Sequence, residues 1–555
     1  MASKDRAPVA GAVRRRYPGS RGRRDRLTGL VLLALSALIG PAGLGAQATR
    51  PERTAGRETS SYADVLAFLD SLARAGGGAE IRVGYLGTSP EGRVIPYAVA
   101  ARPMVDGPGD AHRSGKPIVY IQGNIHAGEV EGKEAALMLL RDLARGPLRP
   151  LLDSVVVLVA PIYNVDGNER WGPGDRNRPG QNGPAVVGSN LNGQGLNLNR
   201  DYVKQEAPET RGSLALLARW EPDVFVDLHT TNGSYHGYAL TYAPGLNPNS
   251  PPANDYTRDR FLPEIRARLR QRHRHETFWY GNFRNQHPDS LVLGWETYDA
   301  RPRFGTNALG MQGRVAILSE GYSNNPFGER ITATYDFLRE ILSFAAEDRV
   351  RLKAAVAASA RWRPDSIALR STFAPPTMQE VLAEITQEAG EGAGGFARRR
   401  RSGIFRSIRM PVYDRFAPAA QVARPAAYLV PPSHPELVEL LRRYGVVVQR
   451  LTGPWRGTVE GFRVDSLEAA AQVFEGHRTV TVQGRWVPRD AEIGAGWYAV
   501  TTDQRLGVFA AYLLEPASED GFATWNFLDR ELARGREAPV LRVRQPVAAP
   551  MVLAD

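Results

Sequence analysis

The 555-residue chain contains no cysteine. This absence excludes disulfide bonds, a thiol nucleophile and a thiolate metal site. Any metal that the chain binds must therefore be held by histidine, aspartate or glutamate. Histidine is itself scarce, with nine residues in the whole chain, so that each one can be considered individually.

Long apolar runs are also missing, except near the N-terminus. There the basic segment "RRRYPGSRGRRDR" precedes the apolar "LTGLVLLALSALIG", and the small-residue segment "GLGAQA" follows. This order is typical of a secretory signal peptide cleaved after Ala46 or Ala48, and we assign residues 1–48 to it. An uncleaved membrane anchor is the alternative, but the apolar stretch is shorter than the roughly 20 residues of a membrane span. We expect an exported protein, periplasmic or extracellular, with no membrane span after cleavage.

The excess of positive charge is concentrated in this leader. The first 46 residues hold nine basic against two acidic residues, a net +7, so that the rest of the chain carries only +4 of the formal +11. Nucleic-acid binding therefore loses its main support. The 43% hydrophobic and 23% charged residues are ordinary for a globular protein of two or three domains.

Strand and helix patterns alternate between about residues 60 and 350. Apolar strand-like segments such as "IVYIQG" and "VVVLVAPIY" are separated by segments with helical spacing, and "IRVGYLGTS" and "VIPYAVAA" predict a hairpin. The pattern predicts an α/β fold with a mixed, largely parallel sheet flanked by helices. The sequence becomes rich in proline near residues 363–380, which predicts a boundary between two domains. We expect a main domain over residues 58–362 and a smaller α/β or β-rich accessory domain of unknown role over residues 381–555.

Several of the predicted strands end in polar residues. His126 and Glu129 follow "IVYIQG", His229 follows "DVFVDL", and Glu320 follows "VAILS". Parallel strands of one sheet present their carboxyl ends along a single edge, where open α/β sheets bind ligands. The sequence therefore predicts that these four side chains lie in one site.

The residue types in this set indicate a catalytic zinc site. Two imidazoles and one carboxylate form a three-ligand set for Zn²⁺ that leaves a fourth position for water. His126 and Glu129 share one turn, and His229 would close the site from a neighbouring strand, with one Zn²⁺ per chain. Taken singly, an H-x-x-E pair is a weak signal, and His229 could be a structural histidine. Bound zinc lowers the pKa of water to about 7, and Glu320 is the candidate carboxylate that accepts the proton.

The stretch "GLNLNRDY" places Asn199 and Arg200 side by side on a predicted loop. Arginine can bind a carboxylate through two parallel hydrogen bonds, and the asparagine amide can add a third. The stretch is equally compatible with a capped loop that carries an exposed arginine.

Five short motifs together resemble the zinc metallocarboxypeptidases related to carboxypeptidase A. They are "HAGE", "PIYNVDGNE", "LNLNRDY", "VDLHTT" and "ILSEGY", which occur in a similar order and spacing over roughly residues 58–350. The resemblance implies that His126, Glu129 and His229 bind zinc and that Glu320 is the general base and acid. It makes residues 58–362 the predicted catalytic domain.

The same resemblance implies further roles in substrate binding. Asn199 and Arg200 would bind the terminal carboxylate of the substrate. Arg178, with Arg176 as a rival, would stabilise the oxyanion. Tyr298, which lies 22 residues before Glu320, is similar to the mobile active-site tyrosine of the family.

Two departures from the family pattern indicate a divergent, secreted bacterial-type branch. Many members have arginine between the H-x-x-E ligands, where this chain has Gly128, and Glu320 is followed by Gly-Tyr rather than by an apolar residue and arginine. The predicted function is an exported zinc carboxypeptidase that acts on peptides with a free C-terminal carboxylate. The alternatives are a zinc deacylase or amidase that acts on acylated amino acids or cell-wall peptides, and a non-catalytic binding protein on the same scaffold.

Overall fold

The computed structural model describes residues 48–74, 81–391 and 397–554. All of them belong to one compact unit. The predicted signal peptide lies outside the described residues, apart from Ala48. Within the described ranges, no helix is both long enough and apolar enough to cross a membrane.

An eight-stranded sheet forms the centre of the N-terminal part. Its strands are β1 (Ile81–Thr88), β2 (Val94–Ala100), β3 (Ile118–Gly123), β4 (Val156–Ala160), β5 (Val224–Thr230), β6 (Leu240–Pro244), β7 (Thr277–Trp279) and β8 (Val315–Gly321). They lie in the order β1-β2-β4-β3-β5-β8-β6-β7. The central strands β4, β3, β5 and β8 are parallel to one another, whereas β1 and β2 form an antiparallel hairpin at one edge. The predicted mixed sheet and the predicted hairpin are confirmed.

Helices cover both faces of this sheet. Helices α1 (Tyr62–Arg74), α2 (Glu131–Arg145) and α5 (Phe327–Glu347) bury one face, and α3 (Pro208–Trp220) and α4 (Gly305–Met311) lie against the other. Further helices cover Arg50–Arg53, Pro108–Arg113, Val165–Glu169, Gly174–Asn177, Pro252–Tyr256, Leu262–Arg268 and Arg349–Ala360. Strand β4 is the apolar run VVLVA and is buried on both sides, because a central parallel strand contacts helices above and below.

The C-terminal region, residues 366–554, is β-rich. Its strands are β9 (Ser366–Phe373), β10 (Thr377–Glu384), β11 (Phe405–Tyr413), β12 (Phe416–Ala423), β13 (Ala427–Val430), β14 (Gln449–Leu451), β15 (Trp455–Ala469), β16 (Val480–Ile493), β17 (Tyr498–Thr501), β18 (Glu537–Val543) and β19 (Met551–Leu553), with a short hairpin of Gln387–Glu391 and Ala397–Arg400. Seven of them form an antiparallel sheet in the order β16-β15-β18-β13-β17-β14-β19. Two helices, α6 (Pro435–Arg443) and α7 (Gly507–Leu514), accompany it.

The C-terminal region shares a buried core with the N-terminal part. Leu214 and Leu217 of α3 belong to the same apolar cluster as Leu441 of α6 and Phe509 of α7. In addition, Trp295–Glu296 pairs with the end of β11 in a separate small sheet. The division into domains of residues 58–362 and 381–555 stays a prediction.

Candidate active site

A tight turn after β3 places His126 and Glu129 on the same side of the chain. Asn124 adopts a left-handed conformation with φ of 65°, and the Glu129 N–H donates to the His126 carbonyl at 2.9 Å. Asparagine tolerates this conformation better than most residues do. The turn brings His126 Nδ1 within 3.1 Å of Glu129 Oε1 just before α2 begins at Glu131.

His229 and Glu320 reach the same place from two neighbouring strands. They are register partners in the parallel pair β5 and β8, so that both occupy the same level of the sheet. His229 Nδ1 lies 3.0 Å from Glu129 Oε2. The parallel arrangement thus brings together residues that are up to 194 positions apart in the sequence.

The donor atoms of His126, Glu129 and His229 fit a zinc ion. One ligand atom from each lies within 4.8 Å of the others, and no other group of this kind occurs in the described part of the chain. The Nδ1 atoms of both histidines face Glu129. On the other side of the rings, His126 Nε2 lies 3.0 Å from Asn197 Oδ1 and His229 Nε2 lies 3.0 Å from Asp227 Oδ2. Such outer partners orient metal-binding histidines.

The two carboxyl groups of the site have opposite electrostatic surroundings. Burial alone would raise the pKa of Glu129, but the Arg178 guanidinium and the imidazoles hold that pKa well below its ordinary value. Burial, together with the charges of Glu129 and Asp227, raises the pKa of Glu320 to about 8, although His229 and Arg178 act against it. Glu320 Oε2 has no hydrogen-bond partner among the described residues. Glu129 is thus suited to bind a cation and Glu320 to bind a proton.

Arg178 contacts the site directly, whereas Arg176 is exposed to solvent. Arg178 Nη2 lies 3.2 Å from Glu129 Oε1 and donates to the carbonyl of Thr230 at 2.6 Å, and Nη1 donates to Asn232 Oδ1. A buried guanidinium in this position can stabilise negative charge near the metal ligands.

Arg200 is a partly buried cation without an ion-pair partner in the described ranges. Its Nη1 donates to the Asn199 carbonyl at 2.8 Å, and its guanidinium lies 4.1 Å from the centre of the Phe304 ring. Burial lowers the pKa of Arg200. The Asn199 side chain lies 3.4 Å from His229 Nε2 and accepts a hydrogen bond from the Gly305 N–H at 3.0 Å.

The predicted residues other than Arg178 line one cavity of about 260 Å³. The lining comprises His126, Glu129, Asn199, Arg200, His229, Asn232, Tyr280, Tyr298, Asp299, Phe304, Thr306, Leu318 and Glu320. The Tyr298 ring contacts Tyr280 and Phe304, at centroid distances of 5.7 and 5.3 Å, and its hydroxyl lies 3.3 Å from Asn307 Oδ1. The cavity therefore joins a candidate metal site, a carboxyl group, the Arg200 guanidinium and an aromatic wall.

Two contacts of the histidines were not predicted. Asp227 lies two positions before His229 on the same strand, and side chains at this spacing share one face of a sheet. The spacing of two residues could therefore have predicted the contact between Asp227 and His229. Asn197 contacts His126 from a loop 71 residues away, and no spacing rule predicts that contact.

The structure also explains the glycine between the ligands. A Cβ atom on Gly128 would lie 3.0 Å from Asn190 Oδ1, 3.3 Å from the Gly188 carbonyl and 3.4 Å from Arg178 Cβ. A larger side chain would displace this loop. The surroundings of Gly128 are thus too closely packed for the arginine that many family members have at this position.

A buried His-Glu-His cluster beside a buried carboxyl group, at the edge of an α/β sheet, is the arrangement typical of zinc-dependent hydrolases. The family model of the zinc carboxypeptidases matches residues 65–291, and this part of the chain belongs to that family. The predicted resemblance is confirmed, and the chain is a zinc metallopeptidase.

Relatives extend the similarity beyond the matched domain. Carboxypeptidase 2 of Trichophyton tonsurans is 25% identical over 476 residues, which cover 82% of this chain and 81% of that protein. Carboxypeptidase D of Mus musculus is 30% identical over 178 residues, 27% of this chain and 13% of that protein. Among solved structures, carboxypeptidase A from Helicoverpa armigera aligns with 17% identity and a TM-score of 0.40, over 57% of this chain and 78% of that chain.

Proposed function

We propose that the chain is an exported metallocarboxypeptidase that removes the last residue of peptides with a free C-terminal carboxylate, with one Zn²⁺ per chain. The single observation that carries this proposal is Arg200, a cation without an ion-pair partner among the described residues that faces the cavity of the metal ligands. A desolvated cation in a cavity is stabilised by an anionic ligand. The N-terminal leader sequence supports export.

Substrate binding uses the guanidinium of Arg200 and the amide of Asn199. The substrate carboxylate accepts hydrogen bonds from Arg200, and its negative charge compensates the partly buried cation. The side chain of the last residue then contacts Tyr298, Tyr280 and Phe304. Asp299 also lines the cavity, but it accepts hydrogen bonds from Arg301 Nε at 2.7 and 2.8 Å, so that its charge is already paired.

Hydrolysis uses the carboxyl groups and Arg178. His126, Glu129 and His229 would hold the zinc ion, which supplies Lewis acidity and lowers the pKa of water to about 7 when bound. The pKa of about 8 for Glu320 is that of the metal-free site, and the charge of a bound Zn²⁺ would favour the ionised form of this carboxyl group. The ionised Glu320 accepts the proton from the attacking water and returns it to the nitrogen of the leaving amino acid. Arg178 stabilises the negative charge that develops on the scissile carbonyl oxygen, and Tyr298 positions the substrate.

The test compares a short peptide with its C-terminally amidated form. Arg200→Ala should raise KM for the free-acid peptide by about 10-fold or more, because it removes a charge-assisted contact, and should leave the amidated peptide nearly unchanged. Arg176→Ala, which removes an exposed arginine of the same domain, is the matched control and should change neither substrate. Equal losses on both peptides would contradict the proposal and favour the deacylase or amidase alternative.

A further inference from the structure

We propose that Asp520, in the C-terminal region, is a positioning residue that acts through Arg303. It holds in place segment 303–305, the wall of the cavity that contacts the residues proposed to bind the substrate carboxylate (the carboxylate wall). The inference rests on the proposed function of Arg200 and Asn199 and assigns a role to a region that the family model does not match. Asp520 does not touch the cavity. It lies in the loop between α7 and β18, and its side chain is fully buried.

The first step is a buried contact between the two halves of the chain. Asp520 Oδ2 accepts from the Arg303 backbone N–H at 2.8 Å, and Oδ1 accepts from Arg303 Nε at 2.8 Å. Trp525 Nε1 donates to the same Oδ1 at 2.9 Å, and the Arg303 guanidinium lies 4.7 Å from the centre of a Trp525 ring. Because one carboxylate binds both the main chain and the side chain of Arg303, it fixes the backbone as well as the charge.

The second step connects Arg303 with the cavity. The next residue, Phe304, supports the Arg200 guanidinium at 4.1 Å, and Gly305 donates its N–H to Asn199 Oδ1 at 3.0 Å. The segment 303–305 therefore touches both residues proposed to bind the substrate carboxylate. A shift of about 1 Å in a segment that positions the substrate can reduce kcat/KM by up to roughly 10²-fold.

The C-terminal region also contacts the loop that carries Asn199 and Arg200 themselves. Glu475 Oε2 accepts from the Asn197 N–H at 3.3 Å, the Glu475 carbonyl accepts from Lys204 Nζ at 3.2 Å, and His477 Nε2 lies 2.8 Å from Glu206 Oε1. Both sides of the carboxylate pocket are thus held by residues from beyond position 470. Of these residues from beyond position 470, Asp520 is the fully buried one, and its partner Arg303 directly precedes Phe304 in the sequence.

A matched control exists in the same region. Glu515 is also a buried carboxylate paired with an arginine and a tryptophan: Arg542 Nη1 lies at 3.3 Å and Trp486 Nε1 donates at 3.2 Å. The contacts of Glu515 lead to Tyr428 of β13 and away from segment 303–305. Glu515→Gln therefore removes an equivalent buried charge without touching the carboxylate wall.

The experiment measures KM and kcat of Asp520→Asn and Glu515→Gln, as full-length zinc-loaded enzymes, on the free-acid peptide and its amide. We expect Asp520→Asn to raise KM for the free acid by about 10-fold, with a smaller change in kcat, unchanged zinc content and little effect on the amide. Glu515→Gln should lower the melting temperature but leave both KM values unchanged. Trp525→Phe keeps the Asp520 carboxylate but removes one of its hydrogen-bond donors, so it should raise KM for the free-acid peptide by a smaller factor. If Asp520→Asn does not fold, this variant tests the role of Asp520, and an unchanged KM would contradict it.

The Arg200→Ala background separates this inference from the proposed function. If Arg200→Ala abolishes the preference for the free acid, adding Asp520→Asn should cause no further loss of that preference, because both act through the same contact. Equal KM changes in Asp520→Asn and Glu515→Gln would overturn the role of Asp520, and so would equal losses of activity on the free-acid peptide and its amide. Neither result would affect the role proposed for Arg200. If Arg200→Ala leaves the preference intact, the proposed function fails, and this inference fails with it.

Discussion

Glu129 and Glu320 show how two identical side chains in one cavity acquire different chemistry. Glu129 is surrounded by Arg178, two imidazoles and the Thr230 N–H, all of which favour the ionised form. Glu320 has a carboxyl oxygen without a partner in the described part of the chain and a pKa raised to about 8. The difference between the two pKa values follows from the neighbouring groups and not from the extent of burial, since both side chains are at most 6% exposed.

Conservative amide substitutions should separate these two roles. Glu320→Gln should keep zinc at the wild-type level, because it removes only a proton acceptor, and should lower kcat by the ~10²–10⁴ typical of general acid–base catalysis. Glu129→Gln should instead weaken zinc binding, with activity partly restored by added zinc. Zinc content and kcat are measured on both variants. Loss of zinc from Glu320→Gln with retention in Glu129→Gln would mean that the roles are reversed.

Glu209 provides a pH-dependent test outside the metal site. It is fully buried, and burial raises its pKa to about 7, while Oε1 lacks a hydrogen-bond partner within the described ranges. The folded protein therefore binds this proton more tightly than the unfolded chain, whose glutamate pKa is about 4.3. The corresponding stability is complete below that value and is lost as the pH rises through about 7.

Glu209→Gln stays neutral at every pH. The melting temperature of this variant relative to the wild type should therefore increase between pH 5 and pH 8. Thermal unfolding of both proteins at the two pH values gives the comparison. A difference that is the same at pH 5 and pH 8 would show that Glu209 does not bind the proton as expected.

The sequence predicts the part of the site that depends on strand ends. His126, Glu129, His229 and Glu320 lie together because parallel strands end at a common edge, and apolar runs followed by polar residues identify those ends. Their assigned roles stay predictions. Asn197 and the pair of Arg303 and Asp520 depend on loop conformations and on packing between distant segments, which local patterns do not encode.

The position of α2 on β5 controls the geometry of the candidate metal ligands Glu129 and His229. Gly132, in the first turn of α2, packs so closely that a Cβ atom there would lie 2.6 Å from Leu228 Cβ. Leu228 precedes His229, and Glu129 lies just before α2. Helix and strand must therefore approach closely for the two ligands to meet.

Gly132→Ala should destabilise the protein by about 1–3 kcal/mol, because overpacking forces the helix away from the strand. Zinc affinity should fall as well. Gly328→Ala, in α5, is the matched control: no atom lies within 4 Å of its added Cβ, so stability should be unchanged or about 0.5–1 kcal/mol higher. Urea unfolding and zinc titration test both variants. Equal stability of the two would contradict the packing argument.

No disulfide can stabilise the chain, because it has no cysteine, so we expect a bound zinc ion to add to the stability that the apolar core provides. An ion that binds only the folded state stabilises that state by linkage. Chelation of zinc should therefore lower the melting temperature of the wild-type protein and abolish activity, and re-added zinc should restore both. His126→Ala and His229→Ala should each contain much less than one zinc per chain and show little response to the chelator. An equal response of these variants would place the zinc at other residues.

The core shared by α3, α6 and α7 has a consequence for synthesis on the ribosome. Residues 208–220 leave the ribosome more than 200 residues before α6 and α7, which cover them in the native protein. During that interval the apolar face of α3 has no native partner, and such transiently exposed surfaces attract other chains. We therefore expect the apolar face of α3 to be open to binding by a holding chaperone until the last quarter of the polypeptide has emerged.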